Sequence, residues 1–314
     1  MGVVCSPVVG EGNGTVGQLV ELEGDDGAGA TVVGPPLPLG RRVELPGRGT
    51  TFVREVEGPP GAPTLLLLHG WIASAGLNWF QAYEALGRHF RIIAPDLRGH
   101  GRGLRALRRF RLADCADDAA ALLDELDAGP VIAVGYSMGG PVSQLLWKRH
   151  PEKVRGLVLA ATGHSFVKGG RERYVFTSAM ATLAATTRLG QLAAHVPSRS
   201  VQKVLPVPQG RGRPGSIQRW AAAEMRRHDP RALMEAGHAI GTYDASRWIG
   251  RIDVPTTVLV TTEDRAIQPT TQLAMARAIP GSEIHLTDAG HVVCARPEFA
   301  PPLVDACTSV AERV

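Results

Sequence analysis

The stretch VIAVGYSMGG, residues 131–140, is the most informative part of this chain, because an apolar run leads straight into a serine flanked by glycines. The apolar residues predict a buried strand, and the glycines predict a sharp turn around Ser137 before a helix. A lone Gly-x-Ser-x-Gly is a weak signal. Whether Ser137 is a turn residue or a nucleophile therefore depends on the rest of the chain.

The composition is that of a soluble globular protein, with 314 residues of which 44% are hydrophobic and 20% charged. The net charge of +4 is too small for this length to indicate a nucleic-acid partner. Apolar runs stay below the roughly 18 residues of a membrane helix, and no signal peptide is evident. We therefore expect a cytoplasmic protein without a membrane span.

The four cysteines, Cys5, Cys115, Cys294 and Cys307, are scattered along the chain without Cys-x-x-Cys pairing. They also lack the histidine spacing of a zinc site. The sequence therefore predicts neither a disulfide framework nor a bound metal.

Short apolar runs alternate with stretches of helical periodicity. The runs lie at residues 64–70, 90–96, 130–137, 154–163, 255–264 and 282–291. Continuous rather than alternating hydrophobicity indicates strands that are buried on both faces. With helices predicted at 112–127 and 139–150, the pattern predicts an α/β fold with a mostly parallel central sheet flanked by helices.

The domain organisation follows from where this alternation begins and breaks. Residues 1–40 are rich in Gly and Pro and are expected to form a flexible extension. Residues 41–56 predict a β-hairpin that leads into the fold. We predict a core of 41–164 and 251–314, with 165–250 inserted as a largely helical cap.

Several motifs fall in one order along the chain and at the predicted strand ends. They are His69-Gly70-Trp71, Asp96-Leu97-Arg98-Gly99-His100-Gly101, Gly135-Tyr136-Ser137-Met138-Gly139, Asp264 and Gly290-His291. Together they resemble the α/β-hydrolase fold superfamily, in particular its serine esterases and lipases and the related cofactor-free haloperoxidases and aryl esterases. The resemblance covers residues 41–314.

This resemblance implies a catalytic triad in the chain order serine, acid, histidine. Ser137 would be the nucleophile, and His291 would remove its proton as the new bond forms. Asp264 would fix the tautomer of His291. Two nearby carboxylates, Glu263 and Asp288, are the alternatives for the acid, and the position after a late strand favours Asp264.

The resemblance also implies an oxyanion hole built from two backbone N–H groups, those of Trp71 and Met138. His69 and Gly70 would shape the loop before Trp71. The turn 96–101 is expected to be structural, because the proton-transfer roles are already filled.

Two further features are interpreted as structural. Five arginines lie at 102, 105, 108, 109 and 111; a solvated face is favoured over an anion-binding site. The predicted cap contains the aromatic residues Phe166, Tyr174, Phe176, Trp220, Tyr243 and Trp248. Such side chains can line a substrate pocket, but each is more simply explained by packing.

The resemblance implies hydrolysis of a small or medium carboxylic ester through an acyl-enzyme, without metal or organic cofactor. Perhydrolysis, lactone hydrolysis and carbon–carbon bond hydrolysis use the same triad and remain open. A ligand-binding receptor with little turnover is the alternative from another class. The expected partner is a small-molecule ester; a homo-oligomer is compatible with this pattern but not indicated by it.

Overall fold

The computed structural model describes residues 19–20, 32–105, 108–166, 169–194 and 217–314. Most of the predicted extension, with Cys5, lies outside the described residues, as does part of the predicted cap. Within the described residues, no helix combines the length and apolar character needed to cross a membrane.

Every predicted strand is present. The strands are β1 (Leu19–Val20), β2 (Val32–Val33), β3 (Gly40–Leu45), β4 (Gly49–Val56), β5 (Thr64–Leu68), β6 (Arg91–Pro95), β7 (Val131–Tyr136), β8 (Val154–Ala160), β9 (Thr256–Thr261) and β10 (Glu283–Thr287). In the part of the chain that the structure describes, eight of them form one sheet in the order β10-β9-β8-β7-β5-β6-β4-β3. The six strands from β10 to β6 run parallel, and the β3–β4 hairpin adds two antiparallel strands at one edge.

Strand β5 shows why the apolar runs are continuous. Leu65 and Leu67 pack into one hydrophobic cluster, whereas Leu66 and Leu68 pack into another. Because successive side chains of a strand point to opposite faces, a strand covered on both faces must be apolar at every position. The predicted two-sided burial is confirmed for the strands β5 to β9 but is wrong for β10, an edge strand on which Ile284 and Leu286 are exposed.

The helices predicted at 112–127 and 139–150 begin and end close to those limits, and with them the described residues form nine α-helices. They are α1 (Ala75–Trp79), α2 (Tyr83–Gly87), α3 (Leu112–Glu125), α4 (Gly139–Arg149), α5 (Gly170–Ala194), α6 (Ile217–Met225), α7 (Pro230–Thr242), α8 (Pro269–Ala278) and α9 (Ala300–Ala311). Helices α5, α6 and α7 lie between β8 and β9, in the segment where the sequence predicts a cap. We call these three the cap helices.

The arginine stretch is only in part the solvated face that the sequence predicts. Arg108 and Arg109 are exposed, but Arg102 forms two hydrogen bonds of 2.9 and 2.7 Å with Glu224 of α6. Arg105 donates to the carbonyls of Gly101 and Arg227. The interpretation is wrong for Arg102, because Glu224, 122 positions away, supplies a buried acceptor for it; Arg105 remains exposed.

Removal of one partner of the buried Arg102–Glu224 ion pair is expected to be strongly destabilising. The Glu224 side chain is only 2% exposed, so Glu224→Gln would leave the guanidinium without its buried counter-charge. Such a loss costs about 3 to 5 kcal/mol. Urea unfolding checks this, with Glu84→Gln as the control, because Glu84 pairs with Arg88 on the surface. Equal unfolding free energies for the two variants would contradict the prediction.

Candidate active site

Ser137 lies in the turn between β7 and α4, at the carboxyl end of the sheet's parallel strands. Its φ is +51°, a left-handed conformation that is costly for a residue with a side chain. A Cβ on Gly135 would lie 2.4 Å from the carbonyl oxygen of Gly139, and a Cβ on Gly139 would lie 1.9 Å from that of Leu68. The two glycines of the motif are therefore required by close backbone approach.

Three side chains from separate strand ends form one hydrogen-bonded chain. The Ser137 Oγ lies 3.0 Å from Nε2 of His291, and the Nδ1 of His291 lies 2.8 Å from Oδ2 of Asp264. The Asp264 carboxylate accepts a hydrogen bond from the Nδ1–H group of His291. The imidazole can therefore present an unprotonated Nε2 to the serine hydroxyl. The structure thus brings together the three residues that the sequence singles out.

Asp264 is held as an anion by its surroundings. Burial would raise the pKa of its carboxyl, but hydrogen bonds from His291, the Ile267 N–H and Thr261 hold this pKa below its ordinary value. The Oδ1 atom accepts from the N–H groups of Ala266 and Ile267, each at 2.8 Å. The carboxylate is therefore both charged and rigidly oriented.

The two alternative acids lie elsewhere. Glu263 and Asp288 are exposed, and Asp288 accepts a hydrogen bond of 2.9 Å from the Thr262 hydroxyl. Of the three carboxylates considered, Asp264 is the one that contacts His291.

The two backbone groups expected to form the oxyanion hole flank the serine. Met138 follows Ser137 directly, and a Cβ on Gly70 would lie 3.4 Å from Cβ of Ser137, which places the loop before Trp71 beside it. Within the described residues, the N–H groups of Trp71 and Met138 have no protein acceptor. They are therefore available to a ligand.

Buried hydrogen bonds hold this loop in place. His69 donates from Nδ1 to the Gly70 carbonyl at 2.8 Å and accepts from the Leu97 N–H at Nε2, also at 2.8 Å. The side chain of Asn78 accepts from the Gly70 N–H at 2.9 Å. His69 shapes the loop, as the sequence predicts; Asn78 has no motif that could have identified it.

The turn 96–101 has the structural role expected of it. The buried Asp96 accepts from the N–H groups of Ala75 and Arg102 at 2.8 and 2.7 Å. It thereby ties the turn to the start of α1.

His69, His100 and His228 form a buried cluster next to this turn, with ring centroids 5.4 and 5.6 Å apart. Burial lowers the pKa of each to about 3. All three are therefore neutral over the range in which an unburied histidine titrates.

Because of this buried histidine cluster, we expect the free energy of unfolding to decrease in acid. Below pH 6.5 the unfolded chain binds protons at these histidines and the native state does not, so stability falls as the pH decreases towards 3. The slope is about 1.4 kcal/mol per pH unit for each histidine. Urea unfolding between pH 7 and 5 measures it, and His100→Asn should give a shallower slope. A constant unfolding free energy over this range would contradict the prediction.

Tyr136 is a feature of the site that sequence analysis missed. Its hydroxyl donates to the backbone carbonyl of His291, and its ring packs edge-on against both Trp79 and Phe299. The residue before the serine thus anchors the loop that carries the histidine. No local signal indicates a contact across 155 positions.

The cap aromatics mostly contribute packing, as expected. Four of them form ring contacts or hydrogen bonds away from the serine: Trp220 with Phe80, Trp248 with Trp147, Tyr243 with Gln144, and Phe166 with Tyr243. Tyr174 is 72% exposed. Phe176 differs, because its ring packs edge-on against Trp71 with centroids 6.5 Å apart.

Comparison with known proteins identifies the family of the chain. The chain matches the model of the α/β-hydrolase fold over residues 63–295. The chain belongs to the α/β-hydrolase fold family. The predicted resemblance and fold class are confirmed, and so is the assignment to the hydrolases.

Two relatives of this α/β hydrolase are informative. A poly(3-hydroxyalkanoate) depolymerase of Ectopseudomonas oleovorans is 28% identical over 84% of this chain and 90% of its own length. A pimeloyl-[acyl-carrier protein] methyl ester esterase of Neisseria meningitidis is 30% identical over 72% and 84%. This chain spans only 55% of the length of a longer relative, the dihydrolipoyllysine-residue acetyltransferase component of an acetoin cleaving system of Pseudomonas putida.

Solved structures show the same fold. The enol-lactonase of Burkholderia xenovorans LB400 superposes with a TM-score of 0.67 at 23% identity, over 87% of this chain and all of that one. Among the residues described for this α/β hydrolase, no group of His, Cys, Asp and Glu side chains could hold a metal ion.

Proposed function

We propose that this α/β hydrolase is a serine esterase that cleaves carboxylic esters through an acyl-enzyme. The observation that carries the proposal is the hydrogen-bonded chain from Ser137 Oγ through His291 to the buried Asp264. The names of the depolymerase and of the methyl ester esterase, both of which describe action on ester bonds, support it.

The first half of the reaction forms the acyl-enzyme. As the Ser137 oxygen attacks the ester carbonyl, Nε2 of His291 takes the hydroxyl proton and the carbonyl oxygen becomes an oxyanion. The N–H groups of Trp71 and Met138 stabilise that oxyanion. His291 then gives its proton to the leaving alcohol as the ester bond breaks.

The second half returns the enzyme to its starting state. A water molecule loses its proton to His291 and attacks the acyl carbonyl, which releases the carboxylic acid and restores the Ser137 hydroxyl. Asp264 remains ionised throughout and stabilises the imidazolium that forms in each half.

We further propose the division into a core and a cap that the sequence predicts. The cap helices are joined to the core by the Arg102–Glu224 pair and by a 2.8 Å hydrogen bond from the Asp229 N–H to the Gly99 carbonyl. We also propose a cytoplasmic location, because the described cysteines are free thiols, which persist in reducing compartments.

A fluorophosphonate probe and p-nitrophenyl acetate test the proposal together. We expect labelling of Ser137, located by mass spectrometry, and steady hydrolysis with an initial burst of p-nitrophenol. A panel of esters and lactones with and without hydrogen peroxide identifies the preferred acyl transfer. Labelling without turnover on any member of the panel would overturn the proposal in favour of a ligand-binding receptor.

A further inference from the structure

Trp71 has its backbone in the core and its side chain against the cap. Its backbone N–H belongs to the candidate oxyanion hole, whereas its indole Nε1–H donates to the backbone carbonyl of Leu233, in the cap helix α7, at 2.9 Å. The two residues are 162 positions apart. A single side chain therefore joins the catalytic loop of the core to the cap.

Gly237 is the residue that makes this contact sterically possible. A helical carbonyl pairs with the N–H four residues later, so Gly237 is the partner of Leu233 along α7. A Cβ at position 237 would lie 2.8 Å from Cζ2 of Trp71 and 3.0 Å from Sδ of Met180. The indole occupies the space that any other residue would need, although glycine inside a helix costs about 1 kcal/mol.

The indole is held on a second side by another cap helix. The ring of Phe176, in α5, packs edge-on against it with centroids 6.5 Å apart. The Trp71 side chain is thus positioned by α5 and α7 together, while its backbone lies in the core.

The backbone around Trp71 has a contact on each side. On the preceding side, the Gly70 N–H is fixed by Asn78 at 2.9 Å. On the following side, Ile72 has a φ of +57° and a side chain that is 42% exposed. A left-handed conformation is strained for a β-branched residue, and on this side the Ile72 backbone interacts with the buried imidazole of His228, which lies between the cap helices α6 and α7.

From these contacts we infer that α7 positions the Trp71 N–H, so that the oxyanion hole is complete only when the cap helices are docked as observed. This inference rests on the proposed function. Trp71 acts on the oxyanion through its backbone, and Leu233 and Gly237 are positioning residues that act through its side chain.

Misplacement of the Trp71 N–H should appear as a change in kcat and not in KM. An oxyanion donor interacts more strongly with the tetrahedral oxyanion than with the ground-state carbonyl, so its misplacement raises the barrier of the chemical step. A displacement of about 1 Å can cost about 100-fold in rate.

Two variants and one matched control test the inference. Gly237→Ala pushes the indole away from α7, and Trp71→Phe removes the indole donor together with one ring and leaves the backbone N–H. Gly87→Ala is the control, because its Cβ would be almost equally crowded, at 2.9 Å, but its nearest neighbour, Val56, belongs to β4 and not to the cap helices. Thermal unfolding of all three separates folding from catalysis.

For p-nitrophenyl acetate we expect Gly237→Ala and Trp71→Phe to lower kcat by about 10- to 100-fold. The KM should change by less than about threefold, and Gly87→Ala should retain kcat within about threefold. The inhibition constant of a medium-chain alkyl trifluoromethyl ketone, whose hemiketal carries an oxyanion, should weaken by the same factor as kcat/KM.

Other results would overturn the inference while leaving the proposed function intact. These are equal kcat values for the three variants, or a rise in KM with kcat and inhibitor affinity unchanged. If Gly237→Ala does not fold, Trp71→Phe alone decides. Failure of the proposed function is recognised separately, by turnover and labelling that persist in Ser137→Ala.

Discussion

Ser137→Ala is expected to lower kcat for p-nitrophenyl acetate by about 10⁶-fold and to abolish fluorophosphonate labelling. The substitution removes the one oxygen that lies 3.0 Å from Nε2 of His291, so no acyl-enzyme can form at this position. The fold should be unaffected, because the carbonyl of Ser137, not its hydroxyl, accepts from the Gly140 N–H and the Thr162 hydroxyl.

Ser137→Gly supplies the matched control for this prediction. Both variants lack the nucleophile, but alanine retains the strain of a φ of +51°, whereas glycine adopts that conformation freely. We expect Ser137→Gly to be equally inactive and more stable than Ser137→Ala by about 1 kcal/mol in urea unfolding. Esterase activity in either purified variant would contradict the assignment of the nucleophile.

Asp264→Asn is expected to lower kcat by about 10⁴-fold. The Oδ1 of Asp264 accepts from two backbone N–H groups, so the amide of an asparagine would place its oxygen there and its NH₂ towards His291. That NH₂ would donate to Nδ1 of the imidazole and move the imidazole proton to Nε2. The histidine would then present a donor to the Ser137 hydroxyl and could not accept its proton.

The controls for Asp264→Asn are Glu263→Gln and Asp288→Asn, since both residues are exposed carboxylates of the same loops. Neither should change kcat by more than about twofold, because neither contacts His291. Steady-state kinetics at one pH suffice for the comparison. A loss confined to the Glu263 or Asp288 variant would show that the acid is misassigned.

The candidate site illustrates what a linear pattern can predict. Ser137, Asp264 and His291 could be picked out because the motifs that contain them resemble those of the α/β-hydrolase superfamily, and because the carboxyl ends of parallel strands meet at one edge of a sheet. Tyr136 and Asn78 could not. Their hydrogen bonds to the His291 carbonyl and the Gly70 N–H depend on how side chains are directed in space, and no spacing rule encodes that.

The interpretation of the arginine stretch as a solvated face was wrong for Arg102 for the same reason. A cluster of like charges favours a solvated face when only local sequence is known, and that holds for Arg108 and Arg109. Arg102 behaves differently because Glu224, 122 positions later, meets it in a buried site. The partner of a charge determines whether it can be buried, and that partner comes from another element.

By itself, the sequence determined the α/β class of this protein, the run of its strands and the turn around Ser137. These depend on short-range properties: apolar periodicity, and the glycines without which the backbone around Ser137 could not pack. Only the tertiary structure decided that Asp264 and not Glu263 or Asp288 faces His291, and that the indole of Trp71 reaches the cap helix α7. Those contacts arise because packing brings distant segments within a few ångströms, where direction and distance select the partners.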